Sequence, residues 1–260
     1  MKAVVRRSTR LVVDEVPDPV PVFGTVLAKT LACGICGSDL HALKHLDRMV
    51  EGAGRSGSPF RLDPARDLVM GHEFAAEILE YGEGSSKPLP VGTRVCAMPV
   101  TVTGAGIATV GYSNEFPGGY GERMLLQEML LLPIPNGLAS DHAALTEPLA
   151  VGLHAVEAAT LAPGDVPLVI GCGPIGLAVI AGLKLRGASP IIASDFSAAR
   201  RALALRMGAD VVVDPAAESP WKRWEDLCDQ ALPVEEKRRM RCLLETSFVV
   251  QRMRIPPGQG

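Results

Sequence analysis

Strong net charge is missing from this chain: 26 Lys and Arg against 29 Asp and Glu leave a formal charge of -3. Its overall balance therefore offers no particular hold on nucleic acid or on an anionic membrane surface. Also missing is the apolar run of a secretory signal, because MKAVVRRSTRLVVDEV carries charges where that run is required, and export is not expected. Cysteine is sparse and scattered. Of Cys33, Cys36, Cys96, Cys172, Cys228 and Cys242 only the first two are close together, which argues against a disulfide framework and for reduced thiols in a cytoplasmic protein, some of them open to metal. There is no internal repeat and no low-complexity tract. Long uncharged apolar stretches reduce to one, Val166 to Leu183; its four glycines and two prolines divide it into strand, turn and helix rather than a membrane span.

What is present is a globular composition, 47% apolar and 21% charged over 260 residues, enough for a sizeable core in one or two domains. The chain from Met1 to Ser140 holds short β-branched runs separated by Gly, Pro and Asp, such as AVVRRSTRLVVDEV, TVLAKTLAC and TRVCAMPV, a β-rich, barrel-like texture. From about Asp141 the pattern turns helical, with HAALTEPLAVGLHAVEAATL carrying apolar residues at helical spacing and Asp141 placed to cap its start. VPLVIG then reads as a buried strand, Pro174 to Arg186 as a helix, PIIASD as a strand, Ser197 to Met207 as a helix capped by Ser197, and ADVVVD as a third strand. That alternation is the first half of a doubly wound parallel sheet, so the fold class is α/β: a β-rich domain over 1–145 and a partial dinucleotide-binding domain over 146–260. The last segment, 231–260, is atypical, with six Lys or Arg against three acidic residues.

Gly171-Cys172-Gly173-Pro174-Ile175-Gly176 lies between a predicted strand and a predicted helix. In that context the first Gly permits the tight turn, the second lets backbone approach a pyrophosphate, and the third lets helix pack on sheet, while the helix N-terminus points free N–H groups at phosphate. Asp195 follows at the end of the second strand, at the spacing from Gly176 that the fingerprint calls for, where a carboxylate accepts ribose hydroxyls and repels a 2′-phosphate, favouring NAD. Arg200 and Arg201 stand close behind, and an arginine there can reach a phosphate, so NADP stays open.

CGICGSDLH offers two thiols, a hydroxyl, a carboxylate and an imidazole between Cys33 and His41. Thiolate and imidazole suit zinc, although a lone Cys-x-x-Cys also fits a redox pair or buried packing. Taken singly, His72 also fits a turn histidine, Glu147 a helix-start carboxylate and Cys36 a small buried hydrophobe.

The stretches GICGSDLH, GHEFAAEI, GGYGERM, EPLAVGLHAV and GCGPIGLA, in this order, resemble the zinc-dependent medium-chain alcohol and polyol dehydrogenases over roughly residues 1 to 215. The resemblance implies a GroES-like catalytic domain followed by a Rossmann domain. It implies that Cys36, His72 and Glu147 are the ligands of one catalytic zinc, that Cys33 is a packing residue, that Glu73 is the adjacent carboxylate able to approach the metal, and that Asp39 supports the site. Ser38 resembles the relay hydroxyl beside the bound alcohol and His41 the imidazole that passes the proton onward. Only Cys96 lies between Val95 and Glu122, so the four-cysteine structural zinc common in the family is not expected. The expected activity is hydride transfer between the CH–OH group of a small alcohol or polyol and NAD. The alternatives are a non-catalytic zinc- or cofactor-binding product and a zinc-free quinone reductase-like relative.

Relatives of this kind are longer, since a full dinucleotide fold has six strands. Ala231 onward is accordingly read as the mark of a truncated or frame-shifted product, VPLVIG as an exposed sheet edge, LLETSFVV as a substitute fourth strand, and any homo-oligomer interface as missing. The segment from His45 to Asp67 is expected to shape the substrate entrance.

Overall fold

The computed structural model describes residues 1–56, 62–103, 106–135, 137–162, 165–231, 243–246 and 249–252. The chain divides into two compact units, Met1–Glu147 and Pro148–Gly260.

The first unit is built on antiparallel strands. β1 (Lys2–Arg7) and β2 (Arg10–Glu15) form a hairpin in which Val4 faces Val13 across the ladder, turning through Ser8 at positive φ. A five-stranded sheet follows, in the order β8-β3-β4-β5-β9, from β3 (Thr25–Cys33), β4 (Phe74–Tyr81), β5 (Arg94–Ala97), β8 (Arg123–Gln127) and β9 (Leu131–Pro133). β6 (Val100–Thr103) and β7 (Gly106–Thr109) form a separate hairpin. Alternate residues of the sheet converge on one core, Val26, Ala28, Phe74, Ala76, Ile78, Val95, Met124 and Leu126, as the period of two in the sequence requires.

One long helix interrupts this β-rich half. α1 (Gly37–Arg55) carries GSDLHALKHLDRMVEGAGR and overlaps the His45 to Asp67 segment only in its second half. Its buried positions, Ser38, Asp39, Ala42 and Leu46, lie at helical spacing, but two of the four are polar, which hides the amphipathic pattern. A kink at His45, where φ is -134°, ends the first part of the helix. Arg6, itself buried, fastens α1 to β1 by donating from Nε to the Ala42 carbonyl at 3.1 Å.

The helix expected to start at Asp141 is in fact two. α2 (Ser140–Ala143) is one turn with Ala139 at its cap, and Asp141 lies inside it, accepting the His142 N–H at 2.9 Å. α3 (Thr146–Ala159) begins afresh because Pro148 cannot extend a helix from upstream: its ring would meet the carbonyl four residues back, and it is tolerated only in a first turn. The Thr146 hydroxyl closes the break by donating to the Ala143 carbonyl at 2.7 Å.

The second unit has the expected alternation. β10 (Leu168–Ile170), β11 (Ile192–Ser194) and β12 (Val211–Val213) form a parallel sheet in that order, with α4 (Pro174–Leu185) and α5 (Ala198–Met207) as crossovers. Ser197 caps α5, its hydroxyl accepting the Arg200 N–H. On one face Val169 and Ala193 pack with Val179, Ile180 and Leu183 of α4, Val156 of α3 and Ala204 of α5. On the other face Leu168, Ile192 and Val213 pack with Trp224 of α6 (Pro220–Ala231). Helices cover both faces, which is why these strands are continuous apolar runs rather than alternating ones.

LLETSFVV does not join this sheet as a fourth parallel strand. β13 (Leu243–Thr246) pairs antiparallel with β14 (Val249–Arg252) in a separate hairpin, and β13 runs close to β10. β10 remains the end strand of the hydrogen-bonded sheet, its side chains Leu168 and Val169 fully buried between the helices on the two faces. The basic run EEKRRMR lies outside the described residues.

The indole N–H of Trp224 donates to the Val166 carbonyl at 2.9 Å in a buried setting. Trp224→Phe, which strands that carbonyl, is expected to lower stability by about 1–3 kcal/mol, and Trp224→Ala, which also opens a cavity, by about 3–5 kcal/mol. Urea titration followed by circular dichroism measures both; equal losses would show that the indole bond contributes nothing.

Candidate metal centre and nucleotide turn

Cys36 stands at the N-cap of α1, in extended backbone just after β3, and Asp39 stands three residues on. The Asp39 carboxylate is almost completely buried and is held from four sides. Oδ2 accepts the Cys36 N–H at 3.0 Å and the Tyr120 O–H at 2.9 Å, and Oδ1 accepts the Tyr112 O–H at 2.9 Å. His72 Nδ1 lies 3.5 Å from Oδ1. Burial alone would lift the Asp39 carboxyl, but the His72 imidazole, the Tyr112 hydroxyl and the Cys36 N–H outweigh it and keep the group below the usual carboxylate range.

His72 follows Gly71, which leads into β4 at a φ of +97°, and Glu73 comes next. Both side chains are buried, and with Cys36 they form a thiol–imidazole–carboxylate group whose ligand atoms all lie within 4.8 Å of one another. This is the one such group among the described residues. Donors around a single zinc ion stand roughly 3.3–3.8 Å apart, so the group needs only small side-chain adjustments to close on one. His72 Nδ1 is buried without a well-formed hydrogen bond, despite facing Asp39. Burial pulls the imidazolium down, yet Asp39 and Cys36 overcome it and bring His72 to about 10.

Gly34 makes room for the Glu73 carboxylate: a Cβ there would fall onto Oε2, while the Gly34 N–H donates to the Glu73 carbonyl at 2.6 Å. Glu147 stands outside the donor group, at the head of α3, close enough to sense it. Burial lifts its carboxyl, with His72 pulling it back and Glu73 and Asp39 adding to the lift. Cys33 is a buried-side thiol pushed up to about 12 by burial and by Asp39 and Glu73, the character of a packing residue.

Ser38 is buried in the first turn of α1, its Oγ 2.9 Å from the Tyr112 oxygen. His41, one turn on, is exposed and has its ring 5.0 Å from that of His45. The structure thus brings Cys36, Ser38, His72 and Glu73 together around Asp39, with Glu147 nearby and His41 at the surface. The two tyrosines were not legible as site residues. Tyr120 sits in the GGYGERM stretch and Tyr112 in GYSNEF, and neither carries a spacing signal toward Asp39, which lies far earlier in the chain.

In the second unit the glycine turn has the expected form. Gly171 has a φ of +94°, Gly173 caps α4, Pro174 occupies its first turn, and Ile175 follows. A Cβ on Gly176 would collide with the Gly171 carbonyl, so the turn closes only with glycine there, whereas a Cβ on Gly173 would meet nothing and leaves the backbone open to a ligand. The Asp195 carboxylate staples the turn to the end of β11, accepting the Cys172 N–H at 2.9 Å and the Ser197 N–H at 2.7 Å. Burial would raise Asp195, but these two N–H groups and the nearby Arg200 and Arg201 hold it below the usual carboxylate range. Arg201 donates to the Asp195 and Phe196 carbonyls and pairs with Asp214 at 2.9 Å, while Arg200 stands 3.7 Å from Asp195.

Comparison with known proteins places both units in known domain families. The profile of the alcohol dehydrogenase GroES-like domain matches residues 23–136, and that of the zinc-binding dehydrogenase domain matches residues 174–235. The chain is 36% identical over 212 residues to (R,R)-butanediol dehydrogenase of Bacillus subtilis (strain 168), spanning 78% of this chain and 60% of that one. It is similar to the solved acetophenone reductase of Geotrichum candidum NBRC 4597 in complex with NAD (29% identity, TM-score 0.68, 82% of this chain and 63% of that one). It is equally similar to a solved chain of Sinorhizobium meliloti 1021 bound to NADP (30% identity, TM-score 0.70, 84% and 63%). The chain spans about three-fifths of the length of the curated relatives it matches. With both domain profiles matched in order, on the two units that carry the thiol–imidazole–carboxylate group and the glycine turn, the chain belongs to the zinc-type medium-chain alcohol and polyol dehydrogenase family.

Proposed function

We propose that the protein is an oxidoreductase that transfers a hydride between the CH–OH group of a small alcohol or polyol and NAD, using one zinc ion. The observation that carries this reading is the Cys36–His72–Glu73 group, its imidazole and carboxylate buried and its thiol half-buried, with Ser38 in the same turn as Cys36. Thiol, imidazole and carboxylate match the ligand chemistry of zinc, and three protein donors leave the open position that a catalytic site needs. Cys36 and His72 take the first two ligand places in this reading. Glu73, expected as the neighbouring carboxylate, has the better claim to the third place, and Glu147 stands by as the carboxylate able to exchange with it.

When bound, zinc supplies Lewis acidity toward the alcohol oxygen and the nicotinamide supplies the hydride acceptor. The residues supply the rest. Asp39 faces His72 Nδ1 and so directs the imidazole's other nitrogen toward the ligand position. Ser38 offers a hydroxyl to the alcohol proton, and His41, at the surface one turn along α1, offers the group from which a proton reaches water. In the second unit the backbone of Gly171 to Gly176 and the N-terminus of α4 would cradle the pyrophosphate, and Asp195 would accept the ribose hydroxyls. NAD is favoured over NADP because a held, ionised Asp195 repels a 2′-phosphate and Arg201 is already committed to Asp214 and two carbonyls. The name of the Bacillus subtilis relative makes butane-2,3-diol the first substrate to try. No described helix is long and apolar enough to cross a membrane.

Mass-spectrometric metal analysis of the full chain is expected to find about one zinc per chain, falling to near zero in His72→Ala. Gly34→Ala, which pushes the Glu73 carboxylate aside, is expected to lose most of it; full retention would remove Glu73 from the donor set. With NAD and a panel of alcohols and diols, NADH absorbance is expected to rise, and Ser38→Ala is expected to lower kcat by about 100-fold with zinc content unchanged. A zinc-free protein, or a zinc-loaded one that reduces no NAD, would reject the reading.

Asp195→Ser is expected to weaken NAD binding by about tenfold, narrowing the gap to NADP and leaving zinc content untouched. Calorimetric titration with each cofactor decides it, and unchanged NAD affinity would take Asp195 out of the cofactor site.

A further inference from the structure

Tyr112 is a buried phenol in the first unit whose oxygen stands 2.9 Å from Asp39 Oδ1 and 2.9 Å from Ser38 Oγ. A phenol has one hydrogen to give. The direction of the two bonds follows from Asp39, which already accepts the Cys36 N–H and the Tyr120 O–H on Oδ2 and faces His72 Nδ1 from Oδ1. A carboxylate ringed by donors accepts only, so the Tyr112 hydrogen goes to Asp39. The hydrogen between Tyr112 and Ser38 must then come from Ser38. Its hydroxyl points at the phenol, and its lone pairs are left for whatever else approaches.

We propose that Tyr112 is a positioning residue: by giving its own hydrogen to Asp39 and accepting the hydroxyl of Ser38, it fixes Ser38 as a hydrogen-bond acceptor facing the alcohol. The inference rests on the reading of Ser38 given above. It adds what that reading lacks, a reason why a hydroxyl that could rotate presents its acceptor side to the bound alcohol; as Ser38 takes the alcohol proton, its own hydrogen leaves the Tyr112 bond and is the one that passes onward. An alcohol O–H and a Ser38 O–H aimed at one another would repel; with Ser38 turned to Tyr112 the substrate hydroxyl is received as a donor. Tyr112 also lies against the ligand group through its ring, 5.3 Å between centroids from His72, so Tyr112→Phe keeps that contact and removes only the oxygen.

The test is a double-mutant cycle on the full chain with Ser38→Ala, Tyr112→Phe and both together. Zinc content, melting temperature, kinetics with NAD and butane-2,3-diol, and the Kd of tert-butanol, an alcohol with no hydride to give, are measured for each. Tyr112→Phe is expected to lower kcat about tenfold with KM changed less than about twofold, and to weaken tert-butanol binding. In the Ser38→Ala background the same substitution is expected to cost neither kcat nor tert-butanol affinity. Additive losses would show that Tyr112 acts elsewhere and would overturn the proposal.

The direction of the bond has its own readout. If Ser38 is the donor, Ser38→Ala strands no buried hydrogen, and its melting temperature is expected within about 2–4 °C of the parent chain. A larger drop would mean that Ser38 carries a structural load beyond donating to Tyr112, overturning the assignment even if Tyr112→Phe does not fold. An inactive parent chain would reject the dehydrogenase reading, while the melting and tert-butanol cycles would still decide the role of Tyr112.

Discussion

A carboxylate buried from water must be surrounded by donors or it will not stay charged, and Asp39 is the point at which the first unit meets that requirement. The effective cost of removing a lone charge from water is several kcal/mol. Here it is offset by the Cys36 backbone, two phenols and an imidazole contributed by four separate stretches of chain. Each donor is drawn to one place, and that place is where α1 leaves β3. Cys36 is held at the helix start, Ser38 in the first turn, and His72 with Nδ1 facing the charge. The geometry of the ligand group is thus a consequence of satisfying one buried anion.

The two units use opposite strategies to present a ligand site. In the second, the glycine turn and what holds it lie in one continuous stretch from Leu168 to Ser197: a strand, the turn, a helix N-terminus and the carboxylate at the end of the next strand. Asp195 performs the same office there as Asp39 does in the first unit, a held anion that ties a turn in place, but its partners are backbone N–H groups of Cys172 and Ser197. Local bonds of this kind are short-range and robust. The first unit instead collects side chains from Cys36 through to Tyr120, so its site depends on the sheet order β8-β3-β4-β5-β9 being right before the group can assemble.

Some misreadings of the sequence share one cause. Asp141 has the residue type of a cap, but Pro148 sets where the long helix can begin, and a proline further downstream overrules a local capping preference. The helix α1 was hidden because Ser38 and Asp39 occupy its buried face, polar residues that look solvent-facing until their partners are known. LLETSFVV carried a strand signal that was sound, yet a pattern of apolar residues does not say which neighbour a strand will take, and it pairs within its own hairpin.

By itself the sequence determined what depends on neighbours in the chain: the alternation of strand and helix in the second unit, the closed turn that Gly171 and Gly176 require, the Ser197 cap, and the residue types suited to zinc. Only the tertiary structure decided how those types combine. It set Glu73 beside Cys36 and His72, in the space that Gly34 leaves open, and it brought Tyr112 and Tyr120 to Asp39 from distant parts of the chain. Turns and caps are fixed by backbone sterics over a few residues, whereas a buried charge chooses its partners from whatever the folded sheet places within hydrogen-bond reach.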